Sequence, residues 1–253
     1  MSGADPTHVD YVLQLADSSL ILGQRLGEWV GHAPALEEDL GLANIALDLI
    51  GQARLLLGHA GALEGCGRDE DQLAFLREET AFRNLALVEQ PNGDFGDTIV
   101  REVLFDAYQL ELYERLQTSC DRRLAEIAAK AVKETRYHLR YSGSWLVRLG
   151  DGTDESHARV QASLDRLWPL TRELFDEQAP DRSLTERGIA PSLTEIGLAW
   201  SERLDALLRE ATLARPADSP YRWYGRRGVH SEHLGYILAE MQYLQRTHPG
   251  ATW

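Results

Sequence analysis

The stretch "KAVKETRYHLRYSGSWLVRLG", residues 130–150, places Glu134 four positions before His138. On a helix two such side chains share a face. They could ligate a metal together, or belong to an ordinary hydrogen-bonding turn. A carboxylate-bridged di-iron centre in a four-helix bundle asks for more: one Glu from each of two helices and Glu-x-x-His from each of the other two. The residues three positions before the eight histidines are Asp5, Trp29, Leu56, Thr135, Asp154, Arg227, His230 and Gln245, and none is glutamate. Asp154 and His157 open a helical segment and read as a cap. His230 and His233 bring two imidazoles without a settled third ligand. The acid in the second helical segment, Asp48, is followed by Gly51 and Gln52 rather than by histidine. The ligand count therefore predicts no metal site, with His138 the one imidazole left as a candidate. Glu134 is expected in an ion-pair or hydrogen-bond network with Tyr137, Arg136 or a residue across the bundle. Arg25, Arg54 and Arg140 are the available donors, since a buried carboxylate without a partner is costly. An unorthodox ligand set of Asp17, Asp48, Glu134 and His138 is the competing reading, and a free-standing helical binding protein the third.

Other chemistries leave no signature. There is no G-x-S-x-G elbow, no G-x-G-x-x-G after a strand and no Walker glycine loop. A net charge of -14, from 26 Lys+Arg against 40 Asp+Glu, disfavours nucleic acid and anionic membranes as partners. A local basic segment, "RWYGRRGVH" at 222–230, is the exception; Arg226 and Arg227 could meet phosphates or an acidic patch on a partner, or could simply be surface arginines. Cys66 and Cys120 form no CxxC and no disulfide framework, as expected in a reducing cytoplasm. No signal-peptide pattern and no run of 18 apolar residues are read, which predicts neither export nor a membrane span.

The elements that must position these residues are helical almost throughout. Val12, Leu15, Ser19, Leu22 and Leu26 recur at helical spacing within 8–30, with Gly31 as a stop. Leu36, Leu40, Ala43, Leu47, Ile50 and Leu57 do so within 35–63. Asp69 predicts the cap of a third helix through Val88, closed by "EQPNGD". Further helices are expected over 95–118, 121–149, 154–176 with a break at Pro169, 192–211 from a Ser192 cap, and from Ser231 to before Pro249. Long helices on short turns favour an antiparallel bundle. Residues 1–253 are read as one domain with peripheral helices and a flexible connection at 178–191. Gly23, Gly27, Gly41, Gly51 and Gly58 imply close helix approach, or room for a cofactor or partner.

Four strings are more specific: "SLILGQRLGEWVGHAPALEEDLGLANIALDLIGQARLLL" (19–57), "VEQPNGDFGDTI" (88–99), "KETRYHLRYS" (133–142) and "GVHSEHLGYILAEMQYLQR" (228–246). With them the chain resembles, over essentially its whole length, the structural, non-catalytic subunits of ring 1,2-phenylacetyl-CoA epoxidases, a bacterial multicomponent monooxygenase family of aerobic phenylacetate degradation. The resemblance implies a ferritin-like fold and a cytoplasmic complex. It implies no cofactor in this chain; di-iron lies in the catalytic partner subunit, and NADPH, FAD and an iron–sulfur cluster serve a reductase. The catalytic subunit is its tight heterodimer partner within a higher assembly, joined by a small accessory subunit. Asp48 and Glu134 then look like remnants of positions where a catalytic relative carries glutamate ligands. An obligate interface of more than about 2,000 Å² is expected, from the first two helices and the "EQPNGDF" corner. Trp29, Phe95, Tyr108 and Trp145 serve there either as anchors or as core.

Overall fold

Capping and periodicity account for most of the elements in the computed structural model, which describes residues 5–177 and 179–251. The chain forms two compact units, 1–91 with 224–253, and 92–223.

In the first unit, Pro6 follows the Asp5 cap, whose carboxylate accepts from the Thr7 amide, and opens α1, Pro6–Gly27. Helix α2, Leu36–Glu64, packs back along α1 and ends at Gly65 in the left-handed conformation that glycine tolerates. Gly23 is where the two come closest: a Cβ there would lie 3.1 Å from Ile50 Cγ1 and 3.3 Å from the Ala46 carbonyl. The predicted α1 stripe is buried as read, from Val12 to Leu26. On α2 the face turned to the core is a different one, with Leu42, Ile45, Leu49, Ala53 and Leu56 buried while Leu36, Leu40, Leu47 and Ile50 are exposed. From Leu36 to Ile50 the expected stripe points outward, whereas its last member, Leu57, is buried. The helix has two apolar faces, and periodicity alone could not say which one α1 covers. By length and composition α2 would also pass as a membrane span, although 44% of that stretch is buried in the protein.

The third predicted helix is broken. Asp69 does cap α3, Glu70–Phe75, through a capping box with Gln72, but a 3-10 turn at Glu79–Ala81 and a single turn of α4, Ala86–Glu89, replace the rest. The carbonyls released by the break are met by side chains. Gln242 donates to Ala74 and Arg77 carbonyls, and Arg77 to those of Leu73 and Ala81.

The second unit holds α5, Phe95–Leu116, and α6, Arg122–Gly150, packed along one another. Asp94 and Asp97 cap the first reciprocally and Asp121 caps the second. Helix α7, Asp154–Leu167, starts from Thr153, one residue earlier than expected, and gives way to a 3-10 segment, Trp168–Phe175, at the anticipated Pro169 break. The expected connection at 178–191 carries a helix, α8, Ala179–Glu186, anchored by buried Leu184; Gln178 lies outside the described residues. Helix α9, Leu193–Glu210, follows from its Ser192 cap. The chain returns to the first unit in α10, Glu232–Met241, and α11, Tyr243–Thr247, so the final predicted helix is split at Gln242. Phe95 and Trp145 meet edge to face at 5.1 Å, and Tyr108 meets Phe175 at 5.9 Å.

Candidate functional site

Helix α5 is buried nearly all the way round, and it carries Arg101, Glu102 and Asp106 fully buried, with Gln109 2% exposed. Glu102 and Asp106 are one turn apart and share a face. Opposite them α6 contributes Thr135, His138 and Ser142, all buried and spaced by three and four residues. Ser142 donates to Asp106 Oδ2 at 2.7 Å, Thr135 approaches Gln109 Oε1 at 3.4 Å, and Gln109 approaches the Tyr113 hydroxyl at 3.5 Å. Among the described residues, no donor lies within hydrogen-bonding range of either Glu102 oxygen or of Asp106 Oδ1. The Arg101 guanidinium, held by Asn92 at 2.7 Å, stands 3.7 Å from Glu102.

The guanidinium thus stands beside one of two neighbouring carboxylates in a fully buried cluster, and burial of the surplus charge is relieved by a proton. Burial pushes Glu102 up to about 7 against the opposing pull of Arg101. Burial, and then the charge of Glu102, hold Asp106 well above the ordinary aspartate value, outweighing the Ser142 hydrogen bond. What this cluster can do is keep a proton.

It does not fit a carboxylate-bridged di-iron centre. Thr135 stands three residues before His138, where a ligating pair needs glutamate, and a guanidinium occupies the neighbourhood a cation would need. Among the described residues, no three donor atoms of this interior gather within 4.8 Å. Glu134, predicted from its spacing to His138, is half-buried at the edge of α6 and pairs with Lys130 at 3.7 Å. His138 is fully buried, its ring edge-on to Tyr137. Asp48 lies half-buried on α2 in the other unit, and Asp17 there gives both oxygens to Arg77 and to the Arg83 amide.

A second polar cluster joins three of the quoted strings within the first unit. Glu89, fully buried, accepts from Asn84 at 2.9 Å, from the Ser231 amide at 2.8 Å and hydroxyl at 2.6 Å, and pairs with His230 Nδ1. His230 Nε2 faces the Phe82 carbonyl at 3.1 Å, so both ring nitrogens meet acceptors and the imidazolium form is favoured. Arg25 donates to the Glu89 carbonyl at 3.0 and 2.7 Å. His230 is therefore a structural tie and Ser231 the helix cap that the sequence indicated. Of the other foreseen donors, Arg54 pairs with Glu70 and Arg140 lies over the Tyr137 ring.

Spacing did not single out Glu89, Glu102 or Asp106. Two acids one turn apart inside the apolar run "REVLFDAYQL" were the available signal for the α5 pair; Glu89 had none, because its partners lie some 140 positions away.

The chain is 54% identical over 243 residues to a protein of Escherichia coli strain K12 that is one of the subunits of 1,2-phenylacetyl-CoA epoxidase, an alignment covering 96% of this chain and 98% of that protein. A Synechococcus protein with aldehyde deformylating oxidase activity superposes with a TM-score of 0.54 at 17% identity, over 89% of this chain and 93% of its own. That likeness shows the fold, an all-α, ferritin-like helical bundle. Residues 1–253 match the phenylacetic acid catabolic protein family from end to end, and the chain belongs to that family.

Proposed function

We propose that this chain is the non-catalytic, structural subunit of a phenylacetyl-CoA 1,2-epoxidase complex, supporting a di-iron catalytic subunit in aerobic phenylacetate degradation. The observation that carries the reading is the α5–α6 interior. Where a catalytic relative needs a full ligand set, this chain has Thr135, a proton-holding Glu102–Asp106 pair and a buried guanidinium. The kinship with an epoxidase subunit supplies the complex. Dioxygen activation belongs to the partner, and electrons reach it from NADPH through a flavin and iron–sulfur reductase, with a small accessory subunit completing the assembly in the cytoplasm.

The chain's own contribution is rigidity. The buried Asp17–Arg77 ion pair and the Asp5, Asp94 and Asp121 caps fix α1, α5 and α6, and a partner packed on such a frame keeps its ligands in place. We also infer that 1–253 behaves as one cooperative domain, which a single calorimetric transition would support and two resolved transitions would refute. The functional test is co-expression with the di-iron catalytic subunit. Stable co-purification, with loss of soluble catalytic subunit when this chain is omitted, is expected. A catalytic subunit that is equally soluble and active alone would contradict it.

A further inference from the structure

Helix α2 leaves one long apolar strip uncovered. Leu36, Leu40, Leu47 and Ile50 are 72, 56, 66 and 37% exposed, with half-buried Ala43 between them. Single exposed leucines need no explanation. These five positions alternate by four and three residues, the 3.5-residue repeat along which two packed helices stay in contact. A Cβ on Gly51 would meet nothing within 4 Å, so the strip stays open as it runs toward Arg54. The opposite face of α2 is already occupied by α1, so the uncovered seam is a second helix-packing surface.

Size and charge narrow the occupant. From Leu36 to Ile50 the seam is about 21 Å long at 1.5 Å per residue. A strip about 10 Å wide then offers a few hundred Å², short of the roughly 800 Å² per partner of a stable interface. It is the centre of a larger contact, which Val30, 58% exposed in the preceding turn, extends. The flanks are acidic: Glu37, Asp39 and Asp48 stand against Arg54, which Glu70 already holds at 3.2 Å. A second copy of a chain with net charge -14 would bring like charge to this seam.

We propose that the α2 seam is the docking surface for a helix of a different subunit, one with its own 3.5-residue apolar repeat edged by lysine and arginine. The proposal rests on the subunit reading above and goes further by naming the surface and the chemistry of what covers it. Its test is Leu40→Glu with Leu47→Glu in the full chain, co-expressed with the catalytic subunit. Both side chains point away from the α1-facing core, so helicity and melting temperature should stay near wild type. Leu198→Glu, at a site 66% exposed on α9, serves as the control. The expected result is at least a tenfold loss of co-purified partner for the double variant and none for the control. A photo-cross-linking residue substituted at Leu47 should join the chain to a partner helix with basic flanks. A folded double variant that still binds fully overturns the surface while wild-type co-purification keeps the subunit reading intact. A wild-type chain that never co-purifies brings down that reading and this proposal with it. A cross-link to a second copy of this chain overturns the assignment of a different subunit.

Discussion

Replacing Glu102 by glutamine should alter how stability responds to pH far more than it alters stability in mild acid. Burial raises the Glu102 carboxyl from its ordinary 4.5 to about 7 in the folded protein, with Arg101 opposing. A folded value above the unfolded one means the native state binds the proton more tightly. That contribution is complete below about pH 4.5 and is lost as pH rises through about 7. At about 1.4 kcal/mol per pH unit, the rise from 4.5 to about 7 corresponds to roughly 3 kcal/mol. Glutamine keeps the shape and the neutral charge of the protonated acid and has nothing to titrate. Urea unfolding of both proteins at pH 5, 6, 7 and 8 gives the comparison. Wild type should lose roughly 2.5 kcal/mol more than the Glu102→Gln variant between the ends of that series, because part of the contribution is already gone at pH 5, leaving the variant the more stable protein at pH 8. Identical pH slopes would refute the reasoning. So would a variant destabilised equally at every pH, because that would mean an ionised Glu102 paired with Arg101.

Three further outcomes follow from named contacts. Burial alone would lower the His230 pKa, but its contact with Glu89, helped by the Phe82 carbonyl and Glu79, raises it. The stabilisation is present below the unfolded value near 6.5 and fades as pH climbs through the raised one; NMR titration of His230 should give a midpoint above the ordinary imidazole value, and Glu89→Gln should lower it. Asp17→Ala leaves the Arg77 guanidinium buried and unpaired and should cost about 3–5 kcal/mol, read as a large fall in melting temperature. Gly23→Leu should destabilise by a similar core-overpacking route, about 1–3 kcal/mol, because the Ile50 and Ala46 atoms of α2 leave its side chain no room; an unchanged melting temperature would contradict that packing.

Local signals were legible where local chemistry decides. The Asp69 and Ser192 caps, the Pro169 break and the α1 stripe from Val12 to Leu26 all fall where the residues indicate. The misses are tertiary. Residues 76–88 carry helical spacing, but Asp17 and Gln242, distant in sequence, draw their backbone into another path. The α2 heptad was visible, while its direction depended on which face α1 chose. In the candidate site, His138, the one imidazole the ligand count left as a candidate, is fully buried, but its neighbours are not the ones its own helix offered. Glu134 satisfies the i, i+4 spacing and still lies at the edge beside Lys130, while Glu102 and Asp106 come from another helix that spacing along α6 could not reveal.

The most direct test is iron content and epoxidase activity, with reductase and NADPH, for this chain alone and for its complex with the catalytic subunit. The account predicts an iron-poor, inactive chain and an active, iron-containing complex whose metal is bound by the partner. Stoichiometric iron in the isolated chain, lost on replacing His138, would contradict it.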